Sequence, residues 1–391
     1  MRGIALILIF VLSAAASAAN LIVRLAPGAD PIAVANDYGL GLTDETEPAP
    51  FYLYDTLGQD PHLIQQQMIG DPRIVWAEDD NVVVMPEHHG AGMGSTIGAV
   101  YGTNFYYQEN SAVLSQIRWL PPMRLMRGRN VRVAILDTGL GQRQFGLWLR
   151  VVASLNTVET GQPPFDAPRG HDTNGNGVFD EGTGHGTMVA GIVTIMWPPT
   201  GLVIVRIADS DGYSTAWRLI KGLAFAWANG SELANVSLGA IDNVPALNDV
   251  LDWCEEVGLL VVAAIGNNGQ RLALTPARNS KAVCVTGVLP DDVRAPFSNW
   301  EGAADAAAPA TGIKSYWWDG TAGIWSGTSF AAPFVTGAIA SGLAYSPPRT
   351  PEFLRDAVRV SGDNIDPLNP GFEDQLGSRL NMARLVQIIR Q

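Results

Sequence analysis

The chain has 391 residues, long enough to bury a sizeable core and to hold two or three domains. With 47% hydrophobic and 16% charged residues it has the composition of a globular protein, which excludes a disordered chain. A net charge of −13 argues against a nucleic-acid partner, whose phosphates call for Lys and Arg, and does not choose a fold.

Residues 1–19 have the pattern of a signal peptide. Arg2 supplies the positive start, Ile4 to Leu12 the apolar centre, and Ser13 to Ala19 a run of small residues with an A-x-A pattern at Ala16-Ser17-Ala18. The apolar stretch is short for a membrane span and no later segment is long and apolar enough. A stable membrane anchor is therefore not expected, and the expected location is secreted or periplasmic. Export permits a disulfide between the two cysteines, Cys254 and Cys284. Spacing alone does not bring them together, so a disulfide and two buried thiols both stay open.

Residues 20–87 follow as a small α+β unit. Leu21 to Leu25 alternates like a strand, Pro31 to Tyr38 has a helical pattern, Phe51 to Tyr54 is a second strand and His62 to Met68 a second helix. Arg73 to Ala77 and Asn81 to Met85 are expected to close the unit as a strand or hairpin. Residues 88–104 are rich in Gly and His and are expected to be a linker, in which His88 and His89 are two adjacent solvated histidines rather than a metal site.

From Val131 onward short, nearly continuous apolar runs alternate with helical segments. The runs are Val131 to Leu136, Val203 to Ile207, Ala234 to Leu238, Leu259 to Ile265 and Ala282 to Val288. Strands buried on both faces of a parallel sheet have this pattern. Helical stretches at Thr187 to Ile195, Thr215 to Ala228 and Ala246 to Val257 supply the crossovers. Residues 105–391 are thus expected to form an α/β domain, a doubly wound, mostly parallel sheet with helices on both faces.

In such sheets the working residues gather beyond the carboxyl ends of the strands. Asp137 ends the first run, Ser237-Leu238-Gly239 the third and Gly266-Asn267-Asn268-Gly269 the fourth. After the linker only two histidines remain, His171 and His185. His185 stands in Gly184-His185-Gly186-Thr187-Met188-Val189-Ala190-Gly191, where glycines permit close backbone approach and a small-residue helix fixes the imidazole. Ser329 stands in Gly327-Thr328-Ser329-Phe330-Ala331-Ala332-Pro333, at the head of an apolar helix from Phe330 to Leu343. Its hydroxyl lies near the positive helix end, and Pro333 is expected in the first turn, where a missing N–H costs little.

With Asp, His and Ser in this order, the chain resembles the subtilisin-like serine proteases. The segment around Asp137 looks like that family's aspartate motif, Gly184 to Gly191 its histidine motif and Gly327 to Gly337 its serine motif. The likeness runs from about residue 105 to 391, and Leu376 to Val386 is like the family's last helix. Met188 and Phe334 depart from the common pattern, both at positions outside the triad.

The resemblance implies a secreted serine endopeptidase acting on polypeptides, with Asp137, His185 and Ser329 as the triad, Asn267 in the oxyanion site and no cofactor required for catalysis. It implies substrate binding along Ser237, Leu238 and Gly239, beside Gly266 and Asn268, and against an opposite edge strand at Asp209 to Tyr213 that includes Gly212. No charge is evident in these segments, which suits a neutral or apolar side chain before the cleaved bond. Residues 20–87 resemble the family's propeptide, which would act as an intramolecular inhibitor and be removed by self-cleavage between Pro86 and Asn110. Rival readings are an inactive relative serving as a binding module and a peptide transferase using the same acyl-enzyme. An α/β-hydrolase esterase is disfavoured, because no G-x-S-x-G elbow surrounds Ser329.

Asp172-Thr173-Asn174-Gly175-Asn176-Gly177 reproduces the opening of a calcium loop, with Asp180 at its ninth position. The twelfth position, Thr183, fails the pattern, and Glu181 is the residue able to compensate. A structural calcium held by Asp172, Asn174, Asn176, Asp180 and Glu181 is one expectation; a polar Asn-Gly turn leading into the His185 helix is the other.

Overall fold

The computed structural model describes residues 20–46, 48–86, 94–98, 103–121, 128–302 and 304–391. The expected signal peptide, His88 and His89, and much of the expected linker lie outside the described residues. The chain divides into two compact units, residues 1–45 with 50–80, and residues 46–49 with 81–391.

The smaller unit runs β1 (Asn20–Leu25), α1 (Pro31–Tyr38), β2 (Gly41–Glu45), β3 (Phe51–Asp55), α2 (Pro61–Met68), β4 (Ile74–Asp79). Its sheet has the order β2-β3-β1-β4 with every neighbour antiparallel, a βαββαβ arrangement. Both helices start in the same way. Asp30 and Asp60 accept backbone N–H bonds from the first turn, and Pro31 and Pro61 fill the position where no N–H is needed. Leu21, Val23 and Leu25 from β1 meet Val34, Ile64 and Met68 from the helices in one buried cluster. The strand β2 was not expected from its sequence. Gly-Leu-Thr-Asp-Glu carries little apolar signal, and among the described residues it sits at the sheet edge, paired with β3 alone.

Asn81 to Met85 does not close this unit. Its strand, β5 (Val82–Val84), belongs to the larger unit, where it finds an open strand edge to pair with. The larger unit continues with β6 (Ser95–Gly98), α3 (Thr103–Glu109), α4 (Ser111–Gln116), β7 (Arg132–Asp137), α5 (Phe145–Trp148), β8 (Val151–Asn156), α6 (His185–Met196), β9 (Gly201–Arg206), β10 (Tyr213–Thr215) and α7 (Ala216–Ala228). It ends with β11 (Leu233–Val236), α8 (Pro245–Glu256), β12 (Leu260–Ala264), β13 (Val283–Val288), β14 (Ala306–Pro309), β15 (Ile313–Tyr316), β16 (Ala322–Trp325), α9 (Thr328–Leu343), α10 (Pro351–Ser361), β17 (Ser378–Arg379) and α11 (Met382–Arg390).

Among the described residues eight strands form one parallel sheet in the order β17-β14-β13-β12-β11-β7-β9-β8. Every residue of β9, β11, β12 and β13 is buried, as continuous apolar runs require. Helices cover both faces. A side chain at Gly222 of α7 would strike Leu136 of β7, so α7 lies on the Leu136 face. Asn235 of β11, in register with Ile135, reaches Thr336 of α9. Residues 135 and 136 point to opposite faces, and so α7 and α9 do too. No helix among the described residues is long and apolar enough to cross a membrane.

Two local expectations change. The helix α9 starts at Thr328, so Pro333 is its sixth residue and lies inside the helix, beyond the first turn. Within Leu376 to Val386 the short strand β17 comes first, and helix starts only at Met382. Cys254 and Cys284 are both buried free thiols, which decides against the disulfide.

Candidate active site

The neighbouring strands β7, β11 and β12 end at one rim of the sheet, which brings Asp137, Ser237 and the Gly266 to Asn268 turn together. Asp137 is the last residue of β7 and is buried. Its Oδ1 accepts the Thr138 N–H at 2.8 Å and is bonded to His185 Nδ1 at 2.7 Å. A buried carboxylate needs such partners, because desolvation without them is costly.

His185 opens α6, and Gly184 before it has φ 94°, a conformation that favours glycine. A side chain on Gly186 would strike the Gly139 backbone and approach Asp137, so the histidine motif needs glycine to bring helix and strand end together. Since Gly184 has no side chain to cap the helix, Asp166 does that work. Its carboxylate accepts the N–H of Gly184 at 2.9 Å and, at Thr187, the N–H at 3.2 Å and the hydroxyl at 2.6 Å. The Thr187 hydroxyl in turn accepts the Gly141 N–H at 2.9 Å, and the Thr138 hydroxyl accepts that of Gly186 at 2.9 Å. Burial raises the Asp166 pKa above the usual carboxylate range; the bonds from Gly184 and Thr187 offset part of that rise, and the nearby Asp137 charge adds to it.

The imidazole packs against two aromatic rings. Phe330 lies 5.1 Å from it, centroid to centroid, and Trp325 meets it edge-on at 5.4 Å. Phe330 directly follows Ser329, so the serine enters at the same ring. Ser329 is fully buried, and its hydroxyl donates to the Ser237 carbonyl at 3.2 Å. In return the Ser237 hydroxyl donates to the Ser329 carbonyl at 2.9 Å. That second bond has a cause inside the helix. The Ser329 carbonyl would normally accept the N–H four residues on, and residue 333 is proline. On the other side of Ser329, the Thr328 N–H donates to Asn267 Oδ1 at 2.9 Å. The carbonyl oxygen of that amide is thereby held, leaving the amide nitrogen as the donor this side chain offers.

Gly239 and Gly212 flank β5 on its two sides. Val84 N–H donates to the Gly239 carbonyl at 3.1 Å and Gly239 N–H to the Val84 carbonyl at 2.9 Å, while Met85 N–H donates to the Gly212 carbonyl at 3.1 Å. The strand therefore runs antiparallel between β10 and the Ser237 to Gly239 segment. Leu238 is buried, and a side chain on Gly239 would strike Leu274. Asn268 is held by Asn299, which accepts its N–H at 2.8 Å and donates to its side-chain oxygen at 3.1 Å. Gly266, with φ 119°, donates its N–H to the Thr328 hydroxyl at 3.3 Å.

The five residues read as a calcium set are bonded to groups of the turn itself and of its neighbours. Asp172 accepts the N–H of Asn176 and Gly177, and Glu181 receives the amide nitrogens of Asn174 and Asn176. Asp180 turns away to accept three successive N–H groups at residues 169–171 and the Ser210 hydroxyl. Burial acts to raise the Asp180 pKa, but these bonds outweigh it and leave the group below its ordinary value. Among the described residues no three His, Cys, Asp or Glu side chains stand where they could hold a metal ion. The turn is tied instead to the β10 approach, through Asp209, which accepts the Thr173 hydroxyl, and Asp211, which accepts the Thr173 N–H.

Residues 128–370 match the subtilase family. The chain is 30% identical over 241 residues to thermitase of Thermoactinomyces vulgaris, a match covering 62% of this chain and 84% of that one. It is similar to the crystal structure of a cold-adapted subtilisin-like serine proteinase, with 27% identity and a TM-score of 0.58 over 69% of this chain and 97% of that one. Fervidolysin from Fervidobacterium pennivorans, a keratinolytic enzyme related to subtilisin, shares the fold with a TM-score of 0.75 at 17% identity, over 95% of this chain and 61% of that one. With the family matched across more than half its length and a fold like that of a solved subtilisin-like proteinase, this chain belongs to the subtilases, a family of serine endopeptidases.

Proposed function

We propose that this subtilase is exported as a zymogen and hydrolyses peptide bonds through an acyl-enzyme on Ser329. The observation that carries the reading is the buried 2.7 Å bond between Asp137 and His185, on an imidazole packed against the residue that follows Ser329. A serine hydroxyl needs an adjacent base to act as a nucleophile at neutral pH. The Ser329 hydroxyl turns from the Ser237 carbonyl to His185 Nε2, gives up its proton there and bonds to the substrate carbonyl carbon. Asp137 keeps the other ring nitrogen protonated and stabilises the imidazolium. The carbonyl electron pair moves to oxygen, where the Asn267 amide and the Ser329 N–H receive the charge. Collapse expels the amine with the proton from His185, and water repeats the sequence on the ester.

Substrate lies where β5 lies, as an added antiparallel strand between Gly212 and Gly239. Residues 20–87 act as the propeptide. This part of the reading rests on the pairing of β5 in the unprimed half of the cleft, before the cleaved bond. Export rests on Arg2 and the apolar stretch after it. No step is assigned to a metal. Labelling with a fluorophosphonate tests the reading: a covalent adduct in the wild type that vanishes in Ser329→Ala is expected, together with hydrolysis of added peptides. Failure of the wild type to label would sink it. An added amine nucleophile would divert product from a transferase, whereas hydrolysis is expected to predominate.

A further inference from the structure

The strand β6 lies along β16 and runs away from the serine motif. Ser95 pairs with Ile324, Thr96 with Gly323 and Gly98 with Ala322, so β6 starts at the Trp325 end of β16, the end that leads into Gly327 and Ser329. Ser95, Thr96 and Ile97 are exposed, and the backbone carries the pairing, with one hydroxyl contact from Thr96 to Thr321 at 2.9 Å. Gly94, just before the strand, is placed differently. A Cβ there would lie 2.3 Å from the Trp325 ring and 2.7 Å from the Trp317 ring. Neither ring has room to retreat. Trp317 is backed by Gly184 and Gly323, where a Cβ would come within 2.8 and 2.4 Å of it, and its carbonyl accepts the Gln144 amide at 2.6 Å. Trp325 is backed by the imidazole of His185 and by Phe330, each with its ring centre 5.4 Å away. Two buried indoles thus bound a slot that takes backbone and no side chain.

We infer that this slot is a specificity site for the leaving side of a polypeptide substrate, where Trp317 and Trp325 select glycine, and that Gly94 fills it in the uncut chain. This rests on the acyl-enzyme reading above and adds a substrate preference to it. Two observations point to a substrate. Trp325 packs on the imidazole of His185, so a residue lying on Trp325 is close to the reacting carbonyl. An extended chain advances about 3.3 Å per residue, which puts that residue among the first four after the cleaved bond. Second, among the described residues β6 is the edge strand in the order β15-β16-β6, so its departure leaves β16 open to another chain in the same register. Such a chain binds β16 through its backbone and is selected at one position. The residues after that glycine, which take the places of Ser95, Thr96 and Ile97, face solvent and are free to vary.

The test uses the matured enzyme and peptides with a single glycine in an alanine background, moved through the first four positions after the cleaved bond. Values of kcat/KM are compared with that of the all-alanine peptide. At one position the glycine peptide is expected to be cut at least about tenfold faster, and at the other three within about threefold. Trp317→Ala widens the slot and leaves the Trp325 contact with His185 in place, and it should bring that preference below about threefold. The ratio is taken within each enzyme, so a change in overall rate cancels; Trp317→Leu takes its place if the alanine variant does not fold. No preferred position, or a preference that survives the Trp317 change, would overturn the inference and leave the acyl-enzyme reading standing. If wild type hydrolyses none of the peptides, both fall. Hydrogen exchange in the full Ser329→Ala chain gives an independent measure. Adding Gly94→Ala is expected to speed exchange of the β6 and β16 amides at least about tenfold, and unchanged exchange would also overturn the inference.

Discussion

Ser237 and Ser329 hold each other by two hydrogen bonds of opposite sense, hydroxyl to carbonyl in each direction. One of them repairs the gap that Pro333 leaves in α9. Removing the Ser237 hydroxyl should therefore strand a buried carbonyl. Ser237→Ala is expected to cost about 1–3 kcal/mol in urea unfolding, measured in a Ser329→Ala background to prevent self-digestion. Adding Pro333→Ala restores an N–H for that carbonyl, so the double change should cost less than the sum of the two single ones. Strict additivity would refute the link.

Asn267 has two functions that substitution can separate. Its oxygen holds the Thr328 N–H, and in the mechanism we propose its nitrogen meets the oxyanion. Asn267→Asp keeps the acceptor and replaces the donor with a negative oxygen. The melting temperature should change little, while kcat for an added peptide falls about 10²–10³-fold, a size of effect that itself comes from subtilisin. A matched fall in stability would assign the residue to folding alone.

Asp166 anchors the first turn of α6, and its replacement should be felt in a defined pH window. Burial raises its pKa in the folded protein, so its contribution is full below the ordinary value of 3.8 and declines as pH rises through the raised folded value. Asp166→Asn does not titrate and cannot accept all three bonds. It should lose about 1–3 kcal/mol, with the deficit against wild type largest near pH 4 and smaller at neutral pH. Unfolding curves across that range, again without Ser329, would expose a deficit that grows with pH and so contradict the assignment.

The turn from Asp172 to Glu181 is closed by its own amides. A calorimetric scan with and without a chelator is expected to give the same melting temperature. A drop on chelation would mean that these oxygens rearrange around an ion.

How much of this was legible in sequence follows from what each segment buries. The strands β7, β9, β11, β12 and β13 announce themselves because both faces are covered and nearly every residue is apolar. The outer strand β8 alternates between half-buried and exposed residues, and β14 is Ala-Ala-Ala-Pro, a buried strand without a single β-branched residue. Neither gives a run to find. The helix start at Thr328 was hidden because Gly327 has no capping side chain, which is why Pro333 was expected one turn too early. Asp137, His185, Asn267 and Ser329 stand at strand or helix ends in recognisable motifs. Asp166 does not: its partners lie 18 and 21 residues ahead, a distance no local period encodes.

The buried thiols have a practical consequence. Cys284 sits in the middle of the parallel sheet and Cys254 on a helix that covers it, and burial lifts the pKa of both far from the reactive range. An alkylating reagent therefore meets them only when the sheet itself comes apart. The rate of their modification becomes a clock for the rarest openings of the molecule, one that needs no introduced probe and runs on residues remote from the chemistry.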